Sequence, residues 1–309
     1  MILTVTLNTA IDKLYIVDSL LPHEVMRVRE TISTAGGKGL NVSRAVAALG
    51  ERVVAIGFVG GHMGDYFLSL IDEKDIVQDF TRVKGETRCC INIRDKESSK
   101  STEFLEPGCP VTEDEIAGFL EGYNNYLKQA DVVTISGSMP KGVPDGFYNT
   151  LIKAAKDSGK KVILDASGAN LKNALKTCPT MIKPNTDEIK QLTGCDVNSQ
   201  EKILQAAKGL HEGGIPIVAV SMGEKGVLAV TDEGSFLAVP PKLTAVNTVG
   251  CGDSMVGGFA TGLARCLSMA DTIRCAVAVS AANAMTEKTG SFNMEDYKQL
   301  LPQISIKKL

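Results

Sequence analysis

No apolar run in this sequence approaches the ~18 residues that a membrane span requires. The opening stretch "MILTVTLNTAID" has no basic segment ahead of an apolar one, and Asn8 and Asp12 interrupt it early, so no signal peptide is readable. Charge of one sign is also scarce. A formal net charge of −3 over 309 residues gives no global reason to expect nucleic acid or an acidic membrane surface as partner. Any anionic ligand must then be held by local cations and oriented amides. The eight cysteines form no C-x-x-C pair and join no His/Cys cluster, and adjacent Cys89 and Cys90 make a poor disulfide. Reduced thiols in a cytoplasm are the expectation. Linkers rich in Pro and Ser, internal repeats and low-complexity tracts are missing too.

What the chain does have is a regular alternation. With 44% hydrophobic residues it can bury one large core or two smaller ones. Apolar, β-rich runs predict strands at Ile2–Leu7, Val53–Val59, Val132–Ser136, Lys161–Asp165, Met181–Lys183 and Ile217–Ser221. Thr112 to Glu115 reads as a capping box, followed by Ile116, Phe119, Leu120, Tyr123 and Leu127 at helical spacing. Ser199 to Gly213 and Met269 to Lys288 also read as helices. Continuous apolar strands alternating with helices predict an α/β fold with a parallel sheet covered on both faces. Val227–Val230 and Phe236–Val239 predict a hairpin at one edge. Two charged β-like stretches, about 13–34 and 87–105, are too polar for central strands and predict a small separate β-sheet lid. The expectation is one α/β domain over 1–309 with that lid.

In open α/β sheets, ligands bind beyond the carboxyl ends of the strands. Five such ends carry Gly, Asn, Asp or Ser: "LNTAID", "SGSMPKG", "DASG", "KPNTDE" and "SMGEKG". The stretch "NTVGCGDSMVGGF" goes further. Val256, Phe259, Ala260 and Leu263 follow helical spacing, so a helix begins near Cys251–Asp253. Its first N–H groups lack internal partners and carry the positive end of the dipole, and Gly250 and Gly252 let a phosphate approach them. Asp253 would repel that phosphate. Either it caps the helix or it faces a substrate hydroxyl and takes its proton. "AGGKGLN" lacks the spacing of a Walker loop. "GCGDSM" comes too late, without the third glycine, for a dinucleotide fingerprint, and protein-kinase signatures are absent.

"GGKGLNVSRAVAALG" (36–50) together with "NTVGCGDSMVGGF" (247–259) resembles the two signatures of the PfkB, ribokinase-like sugar kinases, and the likeness runs from "TLNTAID" to "NAMTEKTG". The resemblance implies a three-layer α/β body with a β lid over the sugar. It implies Asp253 as general base and the amides of Gly250, Cys251 and Gly252 as an anion hole. Asp12, Gly37, Lys38 and Asn41 would hold the sugar. Lys183, Asn185, Ser221, Gly223, Gly226 and Asn283 would serve ATP, and Glu188 would act on Mg2+ through water. A monovalent cation such as K+ often accompanies the family's anion hole. Ser138 follows the third strand end and is placed with the substrate. At Cys251, where many members have alanine, the thiol is either acidified by the helix N-terminus or simply a small tolerated side chain.

Substrate choice turns on cations. Arg27 and Arg88 on the lid, with Lys38, imply a sugar that already carries phosphate. "GETRCCINI", "EFLEPG" and "ILDASGANL" resemble the phosphohexose branch, tagatose-6-phosphate kinase and 1-phosphofructokinase. The former favours T-R-N-C-I and the latter T-R-I-N-V, so Cys90 in T-R-C-C-I tilts the reading to tagatose 6-phosphate, with fructose 1-phosphate as the alternative. From other classes, a catalytically silent sugar-phosphate sensor or a dinucleotide oxidoreductase remains to be compared. The lid's β edges suggest a homodimer.

Overall fold

The computed structural model describes residues 1–309 apart from Ser99, which falls within the second expected lid segment. One large sheet runs, in spatial order, Ser305–Lys308, Gly234–Val239, Val227–Thr231, Ile217–Ser221, Met181–Ile182, Lys161–Asp165, Val132–Ser136, Ile2–Thr6, Val53–Gly60 and Ile76–Gln78. Thr81–Val83 pairs further along Val53–Gly60. Pairings from Ile217–Ser221 through to Ile76–Gln78 are parallel, and the three pairings beyond Ile217–Ser221 are antiparallel.

Period-two alternation sends each strand's side chains to opposite faces. Ile2 enters one core with Leu40, Phe67, Phe259 and Ile273, while Leu3 and Val5 enter the other with Phe119, Leu151, Leu171 and Ile203. Helices Lys38–Ala48, Gly61–Ser69, Cys251–Ala264, Met269–Ala284 and Met294–Leu300 cover the first face. Glu113–Leu127, Phe147–Asp157, Gly168–Ala174, Thr186–Thr193 and Gln200–Glu212 cover the second. Both faces are thus buried, which is why the strands read as unbroken apolar runs. The Thr112–Glu115 capping box is present, with both reciprocal hydrogen bonds.

Three expectations need correcting. The hairpin Val227–Thr231/Gly234–Val239 is not the outermost edge, because the C-terminal Ser305–Lys308 pairs with Gly234–Val239. The helix from Met269 stops at Ala284 rather than Lys288. The backbone N–H groups of Val246 and Asn247 donate to the Ala284 carbonyl and pin that end. The lid also starts earlier than expected.

The separate sheet has the order Glu30–Gly36, Ala10–Val17, Arg88–Asp95, Ser101–Leu105. Ala10–Val17 pairs antiparallel with Glu30–Gly36 and parallel with Arg88–Asp95. Asp12 is therefore a lid-strand residue opposite Thr34 and Cys90, not part of a turn.

Candidate active site

Gly250 caps the helix Cys251–Ala264 in the left-handed region, with φ 82°, and a Cβ there would lie 2.7 Å from the Gly290 nitrogen. Only glycine suits that corner. No side chain caps this helix end, so the capping alternative for Asp253 does not hold. Asp253 sits in the first turn, 7% exposed, and its Oδ2 accepts a hydrogen bond from Asn41 Nδ2 at 2.8 Å. Burial, then the neighbouring Asp165 carboxylate, push its pKa up to about 6 against the pull of Lys38, Asn41 and Lys183.

Asp165 is the residue that sequence reading passed over. It ends the strand Lys161–Asp165, in register with Ser136, and is 2% exposed. Its two oxygens meet Lys183 Nζ and Lys38 Nζ, each at 3.4 Å. Burial alone would raise its pKa, but the two ammoniums outweigh that and hold it below the usual carboxylate range. The carboxylate thus spaces two cations apart beneath the helix end. A Cβ on Gly252 would stand 3.3 Å from Lys183 Nζ, so that cation lies against the start of the helix. Asp165 and Asp253 share the same two lysines, which hold the Asp165 pKa down, while burial and the Asp165 charge push that of Asp253 up. A signal existed in the sequence: an acid closing an otherwise apolar central strand.

The residues expected on the sugar side are assembled from the lid and the helix that follows it. Gly36 lies so close to Asp12 that any Cβ would overlap the carboxylate. Burial raises the Asp12 pKa to about 6, opposed by Arg88 and Arg44. Lys38 and Asn41 begin the next helix, with Gly37 as its N-cap. Arg88 donates from Nη1 to the Glu106 carbonyl (2.7 Å) and from Nη2 to the Asn8 carbonyl (3.1 Å), while its Nε is buried with no partner among the described residues. Asn8 Nδ2 donates to Ser138 Oγ at 3.1 Å, tying Ser138 to the same corner. Arg27 is not brought in, because it stands exposed on the connection between the first two lid strands.

Among the residues expected to serve the nucleotide, Asn185 caps Thr186–Thr193 and exchanges hydrogen bonds with Glu188. The Glu188 N–H donates to Asn185 Oδ1 (2.8 Å) and the Asn185 N–H to Glu188 Oε2 (2.9 Å). Asn185 also bridges to Ser221 across the strand ends. Gly223 faces open space, whereas Gly226 packs against the Ala238 carbonyl and serves the hairpin. Asn283 is 1% exposed and does not line the cleft. Its Nδ2 donates to the Val249 carbonyl (3.1 Å) and to Cys251 Sγ (3.3 Å), and Ser254 Oγ donates to its Oδ1. It supports the glycine turn from behind. Burial pushes the Cys251 thiol up, which runs against the acidified alternative. Val246, Val249 and Met285, all exposed and apolar, flank this turn.

Residues 3–296 match the pfkB family carbohydrate kinase model. The chain belongs to the PfkB family of carbohydrate kinases. Phosphofructokinase-2 from Escherichia coli, solved in complex with potassium, is 30% identical over 98% of both chains with a TM-score of 0.90. A Thermotoga maritima protein named as a possible 1-phosphofructokinase is 28% identical, with 100% of this chain and 99% of that one covered and a TM-score of 0.86. An Arabidopsis thaliana ribokinase shares the fold at 20% identity and a TM-score of 0.79, over 97% of this chain and 98% of that one. This PfkB kinase therefore has the expected ribokinase-like body and separate small sheet. No helix among the described residues is long and apolar enough to cross a membrane.

Proposed function

We propose that residues 1–309 form one ATP-dependent kinase domain that phosphorylates a terminal hydroxyl of a ketohexose monophosphate. The observation that carries this reading is Asp253, buried at a helix N-terminus, fixed through one oxygen by Asn41 and flanked by the Lys38–Asp165–Lys183 set. The free carboxylate oxygen is suited to accept the acceptor hydroxyl's proton as that oxygen attacks the terminal phosphorus of ATP. The backbone N–H groups of Gly250, Cys251 and Gly252 and the Lys183 ammonium would stabilise the transferred group's charge.

Among the described residues no three His, Cys, Asp or Glu side chains are grouped to hold a metal. That suits magnesium, which keeps several waters and binds substrate phosphates with one or two carboxylates. Glu188 fits this role, since one oxygen is committed to the Asn185 N–H and the other has no partner among the described residues. Bound there, magnesium supplies charge neutralisation. Potassium is proposed beside the glycine turn by analogy with the Escherichia coli relative.

For the sugar, the buried, unpartnered Nε of Arg88 next to the raised Asp12 suits a phosphorylated, hydroxyl-rich ligand. Cys90 lies opposite Asp12 on the adjacent strand, so the position separating the two phosphohexose patterns abuts the sugar grip. It favours tagatose 6-phosphate, giving the 1,6-bisphosphate. The Thermotoga maritima likeness favours fructose 1-phosphate as a second reading. A homodimer through the lids is proposed because Ser101–Leu105 is an exposed edge strand and Phe104, Leu105 and Val25 are 58%, 66% and 96% exposed.

The test is ADP release with tagatose 6-phosphate, fructose 1-phosphate, fructose 6-phosphate and ribose, under magnesium, with and without potassium. Asp253→Asn should cost roughly 10²–10⁴ in turnover. Cys90→Asn should move preference toward fructose 1-phosphate. Turnover of ribose alone would overturn the substrate class, and ATP turnover on none of the four would favour the silent sensor.

A further inference from the structure

Arg44 puts a charge among apolar neighbours. Val42, Ala45 and Val46 of its helix and the C-cap Leu49 are buried, and the Arg44 side chain is itself only 5% exposed. A guanidinium so placed is costly unless it is paired and hydrogen-bonded, and here each of its three nitrogens has a partner. Nε donates to Glu73 Oε1 at 2.9 Å, Nη1 to Asn41 Oδ1 at 3.1 Å and Nη2 to the Ala35 carbonyl at 2.7 Å. Lys288 Nζ lies 3.5 Å from the same Glu73 oxygen. Ala35 adjoins Gly36, on which the Asp12 carboxylate rests, so Arg44 touches the backing of the sugar grip as well as Asn41.

An amide side chain has a donor end and an acceptor end. Turned over, Asn41 would set its NH2 against Arg44 and its oxygen against Asp253, two repulsive contacts in place of two hydrogen bonds. Gly290 packs closely over Asn41, since a Cβ there would be 2.7 Å from its Oδ1, and this limits the room for the amide to swing aside. We infer that Arg44 is a positioning residue for phosphoryl transfer. It locks the Asn41 amide so that its N–H holds one Asp253 oxygen and leaves the other for the acceptor hydroxyl. The inference rests on the reading of Asp253 as the base. The charged groups acting on Asp253 are Asp165, Lys38 and Lys183, and Asn41 is the side chain that hydrogen-bonds it and lowers its pKa.

The experiment measures kcat and KM across pH 5–9 with ATP and the best sugar phosphate for Arg44→Met, Arg44→Met/Glu73→Gln, Asn41→Ala, Arg44→Met/Asn41→Ala and Asp253→Asn. Arg44→Met should lower kcat about 10- to 100-fold with little change in KM for ATP. Its acid limb should rise by about one pH unit, a tenfold change in the ionisation constant. The Glu73→Gln partner removes the carboxylate that in Arg44→Met loses its guanidinium and keeps only the half-exposed Lys288, so the double variant should regain most of the wild-type unfolding midpoint without regaining kcat. In the Asn41→Ala background, Arg44→Met should add no further shift. A folded Arg44→Met/Glu73→Gln enzyme with wild-type kcat and acid limb would overturn the inference, as would an undiminished Arg44→Met effect without Asn41. If Asp253→Asn is inactive in those cases, the base reading survives. An active Asp253→Asn would remove both.

Discussion

On the body side of the cleft, Asp253, Asp165 and Lys183 are 7%, 2% and 5% exposed, and each has assigned partners. On the lid side, every residue of Ser101–Leu105 is exposed and Arg27 stands in solvent. Strand ends and helix starts hold the first set, backed by two cores. A four-stranded sheet without helices of its own holds the second. The difference shows where precision is needed. The proposed chemistry lies on the side packed against both cores, while the proposed sugar capture lies on a sheet whose outer strand is exposed.

Breaking the body side should have the larger effect. Lys183→Met would leave Asp165 with only the half-exposed Lys38, and removing one partner of a buried pair costs about 3–5 kcal/mol. A clear fall in the unfolding midpoint, with KM for ATP raised, is expected. An unchanged midpoint would mean that the trio is not a structural unit. Gly36→Ala sharpens the contrast, since the new methyl must displace Asp12. KM for the sugar phosphate should rise about tenfold or more, the scale of one or two kcal/mol, while KM for ATP holds. Equal changes in both constants would contradict a division between the two sides. Phe104→Lys with Leu105→Glu should have the smallest effect on the fold. Sedimentation should show loss of the dimer and kinetics a weaker grip on sugar, with the body's unfolding midpoint unchanged. A variant that stays dimeric would rule out the lid edge as the contact.

The body was legible because its strands are buried on both faces. Val132–Ser136, Lys161–Asp165 and Ile217–Ser221 are continuous apolar runs whose ends are marked by Asp, Gly or Ser. Ser305–Lys308, Ile76–Gln78 and Thr81–Val83 gave no comparable signal. They are short, and Ser305–Lys308 pairs on one side only, with a polar sequence. The lid could be recognised from its charge, but its register could not. Asp12 and Cys90 meet only through a parallel pairing between distant segments.

Within the site, the glycine-rich motifs made the positions of Asp253, Lys38 and Asn41 legible, but Lys38 and Asn41 were expected on the sugar and not on Asp165 and Asp253, where the structure pairs them. Asp165 and Arg44 were not, because their roles come from partners far along the chain. Asp165 reaches Lys38 and Lys183 from another strand, and Arg44 reaches Glu73 beyond the following strand and helix. Asn283 was misplaced for a related reason. Helical position gives the face of a residue, but the distant glycine turn at Val249–Ser254 decides what covers that face.

The central claim is that Asp253 takes the proton of the acceptor hydroxyl, and the pH dependence of kcat tests it most directly. Because burial and Asp165 raise its pKa to about 6, the base is ionised above that value and protonated below it. Wild-type kcat should fall about tenfold per unit as pH drops below about 6, and the low residual turnover of Asp253→Asn should lack that limb. An Asp253→Asn enzyme with wild-type kcat and the same acid limb would contradict the claim.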